Sequence, residues 1–117
     1  MSDRKAMTES WLTNHLRKLG WTILPKGEMH WRNGININAT LGKYTISLQA
    51  GYGPYSTPRK QCTSYTAIET ACWDGMTADG WLNWVRTSYN GCDDVCPYLN
   101  KGKVLGFIGE VTQLTKR

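Results

Sequence analysis

The chain has 117 residues, 40% of them hydrophobic, with 14 Lys and Arg against nine Asp and Glu for a net charge of +5. That length suits one domain spanning residues 1–117, which removes about two-thirds of its unfolded surface from water and folds without obligatory staples. No run of about 18 apolar residues exists, which excludes a membrane-crossing helix, and Asp3, Arg4, Lys5, Glu9 and His15 interrupt the opening where a secretory leader would be apolar.

In chain order, the first element is a helix over residues 8–19. Trp11, Leu12, Leu16 and Leu19 fall on one side, Thr8 is the N-cap candidate, Arg17 and Lys18 occupy the last turn, and Gly20 is the stop. From Trp21 the period drops to two. WTIL, a Pro25-Lys26-Gly27 turn, EMHWR, an Asn33-Gly34 turn of the type I′ kind and Ile35-Asn36-Ile37-Asn38-Ala39 predict short antiparallel strands. Leu41-Gly42 marks the next turn. Tyr44, Ile46, Leu48 and Ala50 then alternate with Thr45, Ser47 and Gln49, the pattern of a strand with one buried face.

The segment YTAIETACW, residues 65–73, fits two templates. As a helix it gathers Tyr65, Ile68, Cys72 and Trp73; as a strand it sets Tyr65, Ala67, Ala71 and Trp73 against Thr66, Ile68, Thr70 and Cys72, and its Thr, Tyr and Ile content leans toward the strand. As a strand it pairs with residues 43–50, and the stretch GYGPYSTPRKQC between them becomes a hairpin connection. Residues 74–103 are irregular, with about two helical turns in WLNWVRTSY. The tail predicts a short strand at Val104 to Ile108 and a turn of helix from Gly109.

Charge is unevenly spread. Residues 1–60 carry nine basic and three acidic side chains, residues 61–94 hold Arg86 against Glu69, Asp74, Asp79, Asp93 and Asp94, and the last 23 residues are basic again. Such polarity equips a chain to present a basic face to nucleic acid or to an acidic protein. Basic residues of the first half alternate with Trp21, Trp31, Tyr44, Tyr52 and Tyr55, the mixture that neutralises phosphates and stacks bases.

Cys62, Cys72, Cys92 and Cys96 make an even count at the spacing C-x9-C-x19-C-x3-C. Only Cys92 and Cys96 have the tight interval of a zinc knuckle, so ordinary reduced thiols are expected ahead of a zinc set, and no cofactor is expected. Asp93 and Asp94 are weighed as a divalent-ion pair, although adjacent loop carboxylates usually point apart. His15 and His30 lie beside no nucleophile signature, and no catalytic constellation is visible. Gly51 and Gly53 lack the spacing of a phosphate-cradling loop. What Tyr52, Tyr55, Arg59 and Lys60 do supply is the residue set of a docking loop, stiffened by Pro54 and Pro58, with Trp31 and Arg32 as further partner-binding candidates.

Tyr44-x-x-Ser47-x-Gln49, the PYSTPR loop, Tyr65-Thr-Ala-x-Glu69 and the closing Val104-x-Gly106-Phe107-Ile108 together resemble a family of small phage-encoded accessory proteins, over residues 44–111. The resemblance implies an α+β fold with residues 65–73 as a strand. It also implies a class that often encodes inhibitors of host immunity, and it brings no catalytic residues. The helix-then-three-strand opening is similar in order to double-stranded RNA-binding domains, yet the sequence pattern offers no second long C-terminal helix with a basic N-terminus.

The expected molecule is therefore α+β: an N-terminal helix packed on a twisted antiparallel β-sheet, with a short C-terminal helix. The expected function is that of a phage-encoded, non-enzymatic inhibitor in the host cytoplasm. It would bind a bacterial defence protein or ribonucleoprotein complex in the manner of an anti-CRISPR; the alternative is a basic nucleic-acid-binding accessory protein.

Overall fold

A computed structural model describes residues 5–26, 33–91 and 93–117. Helix α1, Glu9–Lys18, forms where Leu12 and Leu16 recur four apart, and both are fully buried. Thr8 is its N-cap, with Oγ1 accepting from Trp11 N–H at 3.2 Å. At the other end Gly20, at φ +95°, donates to Arg17 O at 3.1 Å, and Trp21 N–H returns to Leu16 O at 3.0 Å. Those two bonds satisfy helix carbonyls that would otherwise be orphaned, and the left-handed turn that only glycine makes cheaply sends Trp21 into the interior. Leu19, expected on the buried side, is the C-cap and is 39% exposed.

Strands β1 (Thr22–Ile23), β2 (Asn33–Leu41), β3 (Tyr44–Gly51), β4 (Ala67–Met76), β5 (Leu82–Trp84) and β6 (Val95–Asn100) form one antiparallel sheet, and helix α2 (Lys101–Leu114) closes the chain. The order runs β1-β2-β3-β4. Beyond β4 the edge is shared: β6 pairs with its first half and β5 with its second. Leu41 faces Tyr44 across a two-residue turn in which Gly42 takes φ +59°.

Side chains alternate across the sheet, so pairing register decides which meet. Ile37, Leu48, Thr70 and Cys96 form one row across four strands, and Ala39, Ile46 and Cys72 form the next. These rows are buried beneath Leu12 and Leu16 of α1 and Val104, Phe107, Ile108 and Val111 of α2, which belong to the same core. The other face carries Asn36, Asn38, Thr40, Thr45, Gln49 and Glu69, all half-buried. One apolar face under two helices and one polar face is what the period-two pattern of β2 and β3 demands.

The β3–β4 hairpin has the expected partners, with Tyr44 opposite Asp74 and Gln49 opposite Glu69, so residues 65–73 are mainly strand and residues 52–66 connect the pair. Four further expectations are corrected. Asn33-Gly34 is the start of β2, where the register shifts, rather than a turn. WLNWVRTSY yields the short strand β5 and irregular chain in place of helical turns. The irregular stretch before Lys101 contains β6.

Finally, Lys101–Leu114 is a single helix of 14 residues where a strand and one turn were expected, so a long C-terminal helix beginning at Lys101 and Lys103 does exist. Its glycines and β-branched residues oppose helix locally, but burial of Val104, Phe107, Ile108 and Val111 at helical spacing outweighs them. Asn100 Oδ1 caps it by accepting from Lys103 N–H at 2.9 Å. The strand expected over EMHWR lies outside the described residues, as do Trp31, Arg32 and Cys92.

Candidate functional site

The connection between β3 and β4 is pinned from within. Ser56 is buried, and its hydroxyl accepts from Gly51 N–H at 3.0 Å and lies 3.0 Å from Pro58 O, to which it donates. Thr57 donates to Ala67 O at 2.9 Å and accepts from Thr66 N–H at 2.8 Å, and the Thr57–Pro58 peptide is cis. Farther along, buried Tyr65 donates its hydroxyl to Lys60 O at 2.6 Å and accepts from Cys62 N–H at 2.9 Å. Its backbone exchanges two hydrogen bonds with Met7, and burial pushes its phenol pKa upward. These anchors fix both ends of the segment that carries the docking candidates.

Tyr55 stands between them, 43% exposed. The Arg59 guanidinium lies 5.0 Å from its ring centroid and donates through Nη2 to Gly53 O at 3.1 Å. Tyr55 N–H reaches Glu69 Oε1 at 3.5 Å, and Tyr55 O accepts from Tyr98 N–H at 3.2 Å. Its ring meets that of Tyr98 with centroids 5.7 Å apart at 46°. Tyr52, 77% exposed, and Lys60 lie on the same loop with neither a ring contact nor an ion pair among the described residues. Of the six docking candidates, then, the fold brings Tyr55 and Arg59 together and leaves Tyr52 and Lys60 exposed beside them. Trp31 and Arg32 lie outside the described residues.

Tyr98 is the residue that sequence reasoning missed. Between Ile68–Leu99 and Thr70–Cys96, strand β6 places two residues, Pro97 and Tyr98, opposite the single residue Glu69. Tyr98 absorbs that bulge at φ 55°, a left-handed conformation that costs an aromatic residue about 1–2 kcal/mol. The bulge turns its ring outward, 47% exposed, against Tyr55. Nothing local in VCPYLN announces this, because the contact arises only when β6 pairs with β4.

Beside the two rings lies a groove of about 400 Å³ lined by Tyr55, Tyr98, Pro97, Val95, Asp93 and Asp94. Buried Asn90 holds its acidic wall: Nδ2 donates to Asp93 O at 3.1 Å and to Asp94 O at 3.0 Å, while Oδ1 accepts from Thr87. A second exposed aromatic group, Trp81 and Trp84 with Met76, occupies the β4–β5 hairpin, and Trp84 meets Trp73 edge-on at 5.7 Å.

Cys72 and Cys96 lie in the core and Cys62 is half-buried, hydrogen-bonded through Sγ to Ser64 O. Among the described residues no three His, Cys, Asp or Glu side chains converge on a point. Burial pushes the Cys72 thiol up to about 12, with Asp74 and Cys96 adding to the effect, and burial raises Cys96 too. Such thiols are packing groups at neutral pH.

No model of a known protein family, no curated protein and no solved structure matches the chain.

Proposed function

We propose that the protein is a non-enzymatic binding module that docks onto another protein through Tyr55, Arg59 and Tyr98. In the setting that the sequence resemblance implies, it is a phage-encoded inhibitor that occupies a bacterial defence complex in the host cytoplasm, with anti-CRISPR action the leading case. The observation that carries the docking reading is Tyr98, an aromatic side chain held at φ 55° and pointed at solvent beside a second tyrosine. Backbone strain of this kind clusters at functional surfaces, and here it holds a ring that stays about half exposed. Tyrosine and arginine are the side chains on which interfaces concentrate their energy, and a loop anchored by Ser56 and Tyr65 loses little entropy on association.

The test is affinity capture from bacterial lysate with the wild-type chain, Tyr98→Gly and the double variant Tyr55→Ala/Arg59→Ala, after nuclease treatment. Docking requires one stoichiometric protein that the wild type retains and both variants lose, together with loss of protection of an infecting phage in a plating assay. Identical capture by wild type and variants would sink the reading, as would failure to retain any protein.

The nucleic-acid alternative is favoured by one feature. Lys101 and Lys103 occupy the first turn of α2, which has no acidic residue, next to a cavity of about 490 Å³ lined by Lys5, Asn100 and Lys101 among others. Lys101 Nζ lies 4.5 Å from the Trp11 ring centroid, and cations at a helix N-terminus together with its N–H groups suit a phosphate. Titration with an RNA duplex across salt separates the two readings. Binding that falls steeply with salt, with the slope reduced by about 2 in Lys101→Gln/Lys103→Gln, supports the alternative.

A further inference from the structure

We infer that the groove between Tyr98 and the Asp93-Asp94 turn receives an arginine side chain of the docked protein. This rests on the docking reading and specifies the chemistry of the partner. The groove brings together the two kinds of residue a guanidinium uses: the tyrosines Tyr98 and Tyr55, the latter already carrying Arg59 on its ring, and the acidic residues Asp93 and Asp94. Among the described residues neither carboxylate takes part in an ion pair, and both residues are exposed. The Arg86 guanidinium engages the backbone of this turn, at Gly91 O and at Asp93 O (3.5 Å), so the two adjacent carboxylates are the charges that a cation from outside would meet.

The geometry favours arginine over an apolar or acidic group. Arg59 already demonstrates that the Tyr55 ring accepts a guanidinium, at 5.0 Å from its centroid. Its planar fork suits a carboxylate in two-point contact while its faces stack on rings, which a lysine ammonium cannot do simultaneously. The wall is preorganised as well. Buried Asn90 fixes the carbonyls of both aspartates, and Arg86 Nη1 donates to Gly91 O at 2.7 Å just before them. Opposite, the Tyr98 ring is set by the β6 bulge and by its backbone bond to Tyr55. A guest side chain would meet walls that already hold their bound shape, and little ordering cost is left to offset its cation–π and charge-assisted contacts.

The probe is acetyl-Gly-Arg-Gly-amide, titrated into the isotope-labelled full chain at low salt and followed by amide chemical shifts. Citrulline and lysine versions of the same tripeptide serve as controls. Expected are saturable shifts at Asp94, Val95 and Tyr98, with affinity at least about tenfold weaker for the uncharged citrulline peptide and weaker for lysine than for arginine. Asp93→Asn/Asp94→Asn should lose about tenfold for the arginine peptide with an otherwise unchanged spectrum, which also reports that the variant is folded. Equal binding of the citrulline peptide, shifts confined to other surfaces, no shifts at all, or wild-type affinity in the double aspartate variant would each overturn the assignment.

The lysate capture keeps the two ideas apart. Partner retention by Asp93→Asn/Asp94→Asn together with loss by Tyr55→Ala/Arg59→Ala leaves docking intact and removes the arginine assignment. Retention by both variants removes both.

Discussion

Trp21 donates its indole N–H to the hydroxyl of Thr112 at 3.0 Å, a buried bond between residues 91 positions apart. It ties the segment leaving α1 to the last turns of α2, and both groups are nearly inaccessible to water. Thr112 in turn donates to Ile108 O at 2.6 Å, so one hydroxyl serves as acceptor and donor. Thr112→Val keeps the shape and leaves the indole N–H buried without a partner. Equilibrium unfolding in urea should show a loss of about 1–3 kcal/mol, and Thr112→Ser should recover most of it.

The glycines of α2 separate two reasons for lacking a side chain. At Gly106 a Cβ would collide with the hydroxyl and ring of Tyr89, whereas at Gly109 it would meet nothing within 4 Å. Gly109→Ala should therefore stabilise the protein by about 0.5–1 kcal/mol through helix propensity alone. Gly106→Ala should lose about 1–3 kcal/mol to overpacking in the same urea titration, despite an identical propensity gain. If both variants shifted the midpoint in the same direction, the close approach of Tyr89 to α2 would be wrong.

These helix residues also show why parts of the fold were hidden in the sequence. Thr8, Leu12, Leu16 and Gly20 announce α1 because cap, apolar spacing and stop all agree locally. Strand β3 was equally legible, since Ile46, Leu48 and Ala50 alternate with Ser47 and Gln49, whereas its partner over residues 65–73 fitted both helix and strand and only leaned to strand. In α2 the cues conflict. Val104, Phe107, Ile108 and Val111 have helical spacing, yet Gly102, Gly106 and Gly109 among β-branched residues argue for strand and turn, and only burial against β4 and β6 decides.

The candidate surface was half legible for a similar reason. Tyr55 and Arg59 are four apart on one loop, whereas Tyr98 reaches them through sheet pairing, 43 residues away from Tyr55, and its bulge has no sequence signature. Asp93 and Asp94 stood out as charges, but their place beside the rings depends on Asn90 and on the start of β6.

Cysteine reactivity should follow burial. At pH about 8 a thiol with a pKa of about 12 is thiolate only at a level of about 1 in 10,000, and Cys72 is closed to reagents as well. Treatment of the native protein with iodoacetamide, read by peptide mass spectrometry, should modify half-buried Cys62 at least about 100-fold faster than Cys72 and Cys96. In denaturant the three should react alike. Comparable native rates would mean that the sheet face beneath α2 opens far more readily than its packing allows.

The last prediction concerns Glu69, the residue beneath the aromatic surface. The residue stands opposite the β6 bulge in the strand pairing, and burial raises its pKa from the ordinary 4.5, against the lowering effects of Tyr55 N–H and the Arg59 charge. An acid with a raised folded value holds its proton more tightly in the folded chain. Its contribution to stability is accordingly complete below the ordinary glutamate value and is lost as pH rises through the raised one. Glu69→Gln removes the titration and keeps an oxygen that can accept from Tyr55 N–H. Urea unfolding should find the variant at least as stable as wild type at pH about 7, with the advantage shrinking toward pH about 4. An advantage that grew on acidification would mean that the contacts with Tyr55 N–H and Arg59 outweigh burial, and that the carboxylate is an electrostatic anchor of the connection between β3 and β4.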